Sequence, residues 1–261
     1  MSRSNPSSNS THPCGRWFNW VGDKGHLRFY DRTEGVNVDV ALPFRFLLLD
    51  QLAAVKGWHD PSDSGIFSNE VRSTKQDAFT VKSFKGGELA TGLYATIREQ
   101  VFSLGGHFVA SLYMAYEGDD GDLAIGNLQL KGSQLKAWSD FSKSNRKELL
   151  SKAIVISGFD EGKKGKVVYR FPKFEIADPT DSESQQALGL DQLLQEYLGT
   201  YLSRPKEKQK TDEQLGEAPT STKGGPKSST STHTTGPTDA DDDRIAAQQA
   251  AKDEFDDQIP F

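Results

Sequence analysis

The chain has 261 residues, a formal net charge of −6 and one cysteine, Cys14. A single cysteine excludes an intrachain disulfide and suits a reducing cytoplasm. The longest apolar run, LPFRFLLLDQLAAV, is interrupted by Arg45 and Asp50, too short and too charged for a membrane span, and MSRSNPSSNSTHP lacks the apolar stretch of a secretory signal, so a soluble cytoplasmic protein with no membrane partner is expected.

Charge is unevenly placed. Residues 1–178 hold 23 Lys and Arg against 21 Asp and Glu, whereas residues 179–261 hold 8 against 16. A near-neutral body with an acidic tail suggests a polyanion partner or an interaction tail.

Residues 1–14 are Ser-, Asn-, Pro- and Thr-rich and read as a disordered N-terminal segment. Patterned sequence fills 15–178. HLRFYDR and GVNVDVAL read as a hairpin, with Val36, Val38, Val40 and Leu42 alternating as on a half-buried strand. PFRFLLLDQLAAVKG reads as a helix: Pro43 suits its first turn, Phe44, Leu48, Leu52 and Val55 share a face, and Gly57 suits its end. GIFSNEVRS and AFTVKSFKGG read as strands. ELATGLYATIREQVFSLGG reads as a second helix, with Leu89, Leu93, Ile97 and Val101 in register and Gly105 as its stop.

HFVASLYMAYEG and DLAIGNLQLKG read as a strand pair joined through Asp119, Asp120 and Gly121. Ser133 is placed to cap a helix carrying Leu135, Trp138 and Phe141. AIVISGF and KVVYRFPKFEIA make a last hairpin around EGKKGK. The fold class expected is α+β: a mostly antiparallel Greek-key barrel of the OB type enlarged by inserted helices, an incomplete sandwich fitting nearly as well.

Residues 179–204 contain the strongest helical pattern, Leu190, Leu193, Leu194, Tyr197, Leu198, Tyr201 and Leu202. Its apolar stripe either docks on the body or mediates self-association. Residues 205–252 have the composition of a disordered linker, and 253–261 form an acidic tip, DEFDDQIPF.

No motif of a nucleotide-binding loop, zinc protease or serine hydrolase is present. No catalytic set, metal site or cofactor is expected; Asp119, Asp120 and Asp122 read as a solvated turn rather than a metal site. Basic and aromatic residues alternate on several strands: Arg16 and Trp20; Arg28, Tyr30 and Arg32; Lys82 and Phe84; Arg170 and Lys173 around Tyr169 and Phe171. Cations tracking phosphates and rings stacking bases are how single strands are gripped. Each ring taken singly is as easily core or ordinary surface; the joint pattern is the signal. Lys163 and Lys164 read as phosphate contacts or as a solvated hairpin tip.

The segment DDQIPF closely resembles the tip of bacterial single-stranded DNA-binding proteins, whose layout of compact OB domain, low-complexity linker and tip is also similar. The resemblance implies that Asp256, Asp257, Ile259, Pro260 and Phe261 bind partners, namely replication, recombination and repair proteins. Phe261 would offer a ring and the chain carboxylate to a basic-rimmed hydrophobic pocket, with the acids steering the encounter. The body is larger than that family's domain and the linker is Lys/Thr/Ser-rich, so a divergent, phage-encoded member is the expected form. The function expected is sequence-independent binding of single-stranded DNA. The alternative is a phage adaptor that mimics the host tip without a DNA groove of its own.

Overall fold

The computed structural model describes residues 12–203. Its strands join in one sheet of eleven, and three α-helices pack against it. The chain begins with β1 (Arg16–Val21), β2 (His26–Asp31) and β3 (Val36–Val40), a meander whose register pairs Phe18 with Phe29 and Phe29 with Val38. A cis Leu42–Pro43 bond then leads into β4 (Phe44–His59).

The segment expected to be a helix is therefore the longest strand of the fold. The physical reason is burial on both faces. Phe46, Leu48, Ala53 and Val55 enter the main core, while Leu52 and Leu47 meet separate apolar clusters on the opposite face. A strand covered on both sides shows a continuous apolar run with no alternation, which periodicity cannot tell from a buried helix. The strand stays in register with one partner over most of its length, pairing from Phe46 to Gly57 with β8 (Gly106–Glu117), with an irregularity at Leu48/Asp50.

After β4 come a single 3-10 turn (Asp60–Ser62), β5 (Ser64–Ser68), β6 (Phe79–Ser83) and β7 (Gly87–Gly92). The second expected helix is split. Its first residues form β7, and α1 (Tyr94–Ser103) starts only after Gly92, whose φ of +154° breaks the pattern. Ile97 and Val101 of α1 are buried as the spacing predicts, but Leu89 belongs to the strand.

β8 and β9 (Leu123–Leu130) form the expected antiparallel pair. α2 (Ser133–Ser144) follows; Gly132 holds its N-cap position and no side chain caps it, so Ser133 is the first helical residue and not the cap. β10 (Ala153–Lys164) and β11 (Val167–Ala177) form the last hairpin. β1 and β9 are parallel, and the other strand pairings are antiparallel. The architecture is α+β with antiparallel strands dominant.

β10 pairs with the start of β4 through Ala153 to Ile156, on the same edge that β5 uses at its far end. The hairpin of β10 and β11 then reaches round to the β1–β2 turn. Arg170 N–H donates to Gly22 O at 2.8 Å, and Trp20 Nε1–H donates to Arg170 O at 2.9 Å. The bent sheet encloses a core of Phe18, Phe46, Leu112, Met114, Leu128 and Ile154, with Trp138 of α2 inserted into it. Each such buried side chain stabilises the fold by about 1.5–3 kcal/mol.

α3 (Asp181–Ser203) lies across the opposite face of β4, β8 and β9. Leu194, Tyr197, Leu198 and Tyr201 are buried against Leu52, Tyr113, Ile125 and Cys14. The stripe thus docks on the body, the first of the two alternatives read from its pattern. Arg45 holds the start of the helix, with Nε to Glu183 Oε1 at 2.8 Å and a second contact to Asp178 O at 2.7 Å. No helix among the described residues is long and apolar enough to cross a membrane.

Candidate nucleic-acid interface

Strand register decides which candidate side chains share a face. One row runs Asp39–Arg28–Asn19–Gln129–Ser111–Leu52 across β3, β2, β1, β9, β8 and β4. The next row on the same face contains Asn37 and Tyr30 and, on the strands that follow, Trp17, Asn127 and Tyr113. This is the face away from the main core. α3 covers part of it, burying Leu52. Asn19 remains exposed, and Arg28, Tyr30 and Gln129 remain partly so.

Further along β4 the same face carries Lys56, opposite His107, and then Trp58, opposite Gly65. Phe67 pairs with Lys82 one step on, and Phe84 N–H donates to Gly65 O at 3.1 Å. Arg28 and Tyr30 at one end of the sheet, and Lys82 and Phe84 at the other, therefore lie on one side of it. They are separated by six strand spacings, about 29 Å along the sheet.

Other candidates are placed differently. Trp20 is 6% exposed and belongs to the core; its ring closes the sheet and is not free to stack on a base. Arg16 is on the core side, with its guanidinium 4.4 Å from the Phe29 ring and paired with Asp119. That pairing puts Asp119 in a structural role at the turn between β8 and β9. Arg32 lies 5.2 Å over the Trp17 ring. Arg170 is spent on the hairpin's seat: it bonds Asp23 O, pairs with Glu161 at 2.9 Å and lies over Phe159.

The hairpin itself is a two-stranded arm. Only Ala153 to Ile156 of β10 pair with β4; beyond them β10 and β11 pair with each other as far as Lys164 and Val167. Lys163 and Lys164 sit at its end. Alternation puts Tyr169, Phe171 and Lys173 on one side of β11 and Arg170 on the other. Tyr169 lies over Gly162, where a Cβ would come within 2.4 Å of the ring, and its centroid is 6.3 Å from that of Phe171.

Most of the cations have acidic neighbours. Arg28 Nε reaches Asp39 at 2.6 Å, Lys82 reaches Glu88 at 3.6 Å and Lys173 reaches Glu175 at 3.1 Å. The hydrogen bond from Arg28 holds the Asp39 carboxyl down to about 2. One ring that the sequence did not single out lies on the candidate face: Trp58, which is 38% exposed. Phe171, read from the sequence beside Tyr169, is partly exposed on the arm. Trp58 was hidden by the helical reading of its strand; its signal was the alternation Lys56-x-Trp58 opposite Gly65. Asp256, Asp257, Ile259, Pro260 and Phe261, with residues 1–11 and 204–261, lie outside the described residues.

Among the described residues no group of three or more His, Cys, Asp and Glu is placed to hold a metal ion. Cys14 is buried, its thiol pushed up by loss of solvent. Compared with protein-family models, curated proteins and solved structures, the chain matches none.

Proposed function

We propose that the protein binds single-stranded DNA without sequence preference and recruits replication, recombination and repair enzymes through DDQIPF. In this reading the bent sheet works as an enlarged OB-type barrel. The strand passes over the face that carries Arg28, Tyr30, Lys56, Trp58, Lys82 and Phe84, and the arm with Lys163, Lys164, Tyr169, Phe171 and Lys173 adds to the grip. The observation that carries the reading is the gathering of basic and aromatic candidates from distant strands on one side of one sheet. Alternating charge and ring is the chemistry of sequence-tolerant binding. The resemblance of the tip to bacterial single-stranded DNA-binding proteins supplies the partner class, and a divergent, phage-encoded protein acting in the host cytoplasm is the setting it suggests.

A second reading is favoured by one specific observation. Arg28, Lys82, Arg170 and Lys173 each face a carboxylate of the same chain, as they would in an adaptor whose body leaves DNA alone. Titration of the full chain with a fluorescent oligo-dT at two salt concentrations separates the two. The first reading expects binding that weakens with salt; the adaptor expects none at either concentration.

A further inference from the structure

We infer that Trp58 and Phe84 form a preformed stacking site for unstacked nucleobases, an inference that rests on the nucleic-acid reading and assigns its base-contacting part. The two rings are 38% and 45% exposed. Trp58 stands on β4 and Phe84 directly follows β6, on either side of β5 in one register row, and the residue of β5 between them is glycine. Trp58 is opposite Gly65, and Gly65 O accepts from the Phe84 N–H. With no side chain at Gly65, Phe84 leans over its backbone: a Cβ there would meet the ring at 3.2 Å. Phe67 supports the Phe84 ring, with centroids 4.6 Å apart.

Both rings are mounted on rigid backbone. Trp58 N–H donates to Gly105 O at 3.3 Å, and a Cβ at Gly57 would lie 2.0 Å from Gly105 O. Only glycine permits that approach, and Gly105 also has φ +89°. On the other side, hydroxyls lock the two turns together. Ser62 Oγ lies 2.7 Å from His59 Nδ1, 2.8 Å from Ser64 Oγ and 3.3 Å from Ser83 Oγ, and Ser83 Oγ accepts from Gly86 N–H at 2.8 Å. The turn after Trp58 and the turn carrying Phe84 are thereby held at a fixed separation. Rings fixed before binding lose little freedom when a partner arrives.

The charge around the rings points to bases. Lys82 pairs with Glu88, and Lys85 Nζ bonds the backbone Asp63 O at 3.1 Å. Local charge is close to balanced, so phosphates gain little there, whereas a flat aromatic base gains from both rings. The lysines suit a ligand that carries its phosphates at the rim. Loss of a ring should therefore lower affinity by a similar factor at low and high salt, because no counterion is exchanged.

Trp58 also supplies the readout. Of the four tryptophans, Trp20 and Trp138 are buried, Trp17 is partly buried beneath Arg32, and Trp58 is the most exposed. Oligo-dT added to the full chain should quench tryptophan emission. Trp58→Phe should bind nearly as well, seen by anisotropy of a labelled oligonucleotide, yet lose most of the quenching. Trp58→Ala and Phe84→Ala should each weaken binding roughly 5- to 150-fold, with an unchanged salt slope. Gly65→Val, which displaces Phe84, should do the same while Trp58→Phe and wild type share one melting temperature. Wild-type affinity in Trp58→Ala, or wild-type emission unmoved by bound DNA, overturns the inference and leaves the DNA-binding reading standing. Absence of any oligonucleotide binding by wild type removes both. Emission that responds to deletion of residues 253–261 but not to DNA gives the rings to the tail and also overturns it.

Discussion

Tyr113 donates its phenol hydrogen to the Glu70 carboxylate at 2.7 Å, and both side chains are buried between the sheet and α3. Glu70 also ties its backbone to the helix, its N–H donating to Tyr201 Oη at 3.2 Å. Loss of solvent raises the Glu70 carboxyl above its ordinary value; hydrogen bonds from Ser111 and Tyr113 and the charge of Lys56 oppose that rise, and Asp50 adds to it.

The sign of the pH dependence follows. Below the ordinary carboxyl value both folded and unfolded states carry the proton and Glu70 costs nothing. As pH rises the unfolded chain ionises first, so stability falls until the pH passes the raised folded value, and it stays low above that. Glu70→Gln keeps the acceptor for Tyr113 and removes the charge. It should raise the melting temperature at neutral pH and flatten its decline with pH. Thermal melts from pH 4 to 8 check this; a melting temperature for Glu70→Gln below wild type at pH 8 would rule it out.

Arg28 is held by Asp39, and this gives a test of whether the cation is part of the DNA path. Asp39→Asn should release the guanidinium to a phosphate, tighten oligo-dT binding at low salt and steepen the salt dependence by about 0.7 in slope. Tyr30→Ala should cost roughly 1–3 kcal/mol at both salt concentrations. Unchanged binding in both variants would take this end of the sheet out of the interface.

Lys163 and Lys164 sit at the end of the arm. Changing both to Glu should reduce the salt slope by about 1.4 and leave the melting temperature unaltered, since neither side chain supports the core. Arg170→Ala is a different kind of change. It removes the contacts with Asp23, Glu161 and Phe159 and should loosen the arm, read as faster amide exchange in Phe159 to Phe171. If the arm amides exchange as in wild type, the arm is seated by its backbone alone.

Phe261→Ala tests the tip. Pull-down of host enzymes that recognise the bacterial tip should succeed with wild type and fail with the variant, while oligo-dT affinity stays nearly constant. Deleting residues 253–261 should raise DNA affinity slightly at low salt and hardly at high salt, where acidic residues no longer compete for the basic face. Equal recovery by wild type and Phe261→Ala would reduce the resemblance to coincidence.

What was legible in the sequence was whatever had one wet face. Val38 and Val40 alternate because β3 is an edge strand with one side in water, and the stripe from Leu194 to Tyr201 is clear because the far side of α3 is polar. β4 was misread because neither of its faces is wet along most of its length. That error also hid Trp58, which a helix ending at Gly57 leaves in a loop. Trp20 shows the limit of alternation as a guide: it shares its side of the strand with Arg16 and Phe18, and only the fold tells which of these turns inward at the strand's middle and which emerges at its end. Glu70 has no local signal, because its partners Ser111, Tyr113 and Tyr201 are far along the chain.

β4 acts as a ruler. Its first residues carry the arm, through β10, and its last carry Trp58. From Phe46 to Trp58 is twelve steps, about 40 Å of extended backbone at 3.3 Å each. Stretching is prevented by the ladder to β8, and a slip of one residue would turn Trp58 inward and Val55 outward. A strand of nucleic acid that reaches both the arm and the Trp58 ring therefore has its footprint set in whole units by one element of the protein, and binding sites should fill in discrete steps with oligonucleotide length: a plateau for oligomers that reach one landmark, then a jump for those that reach both.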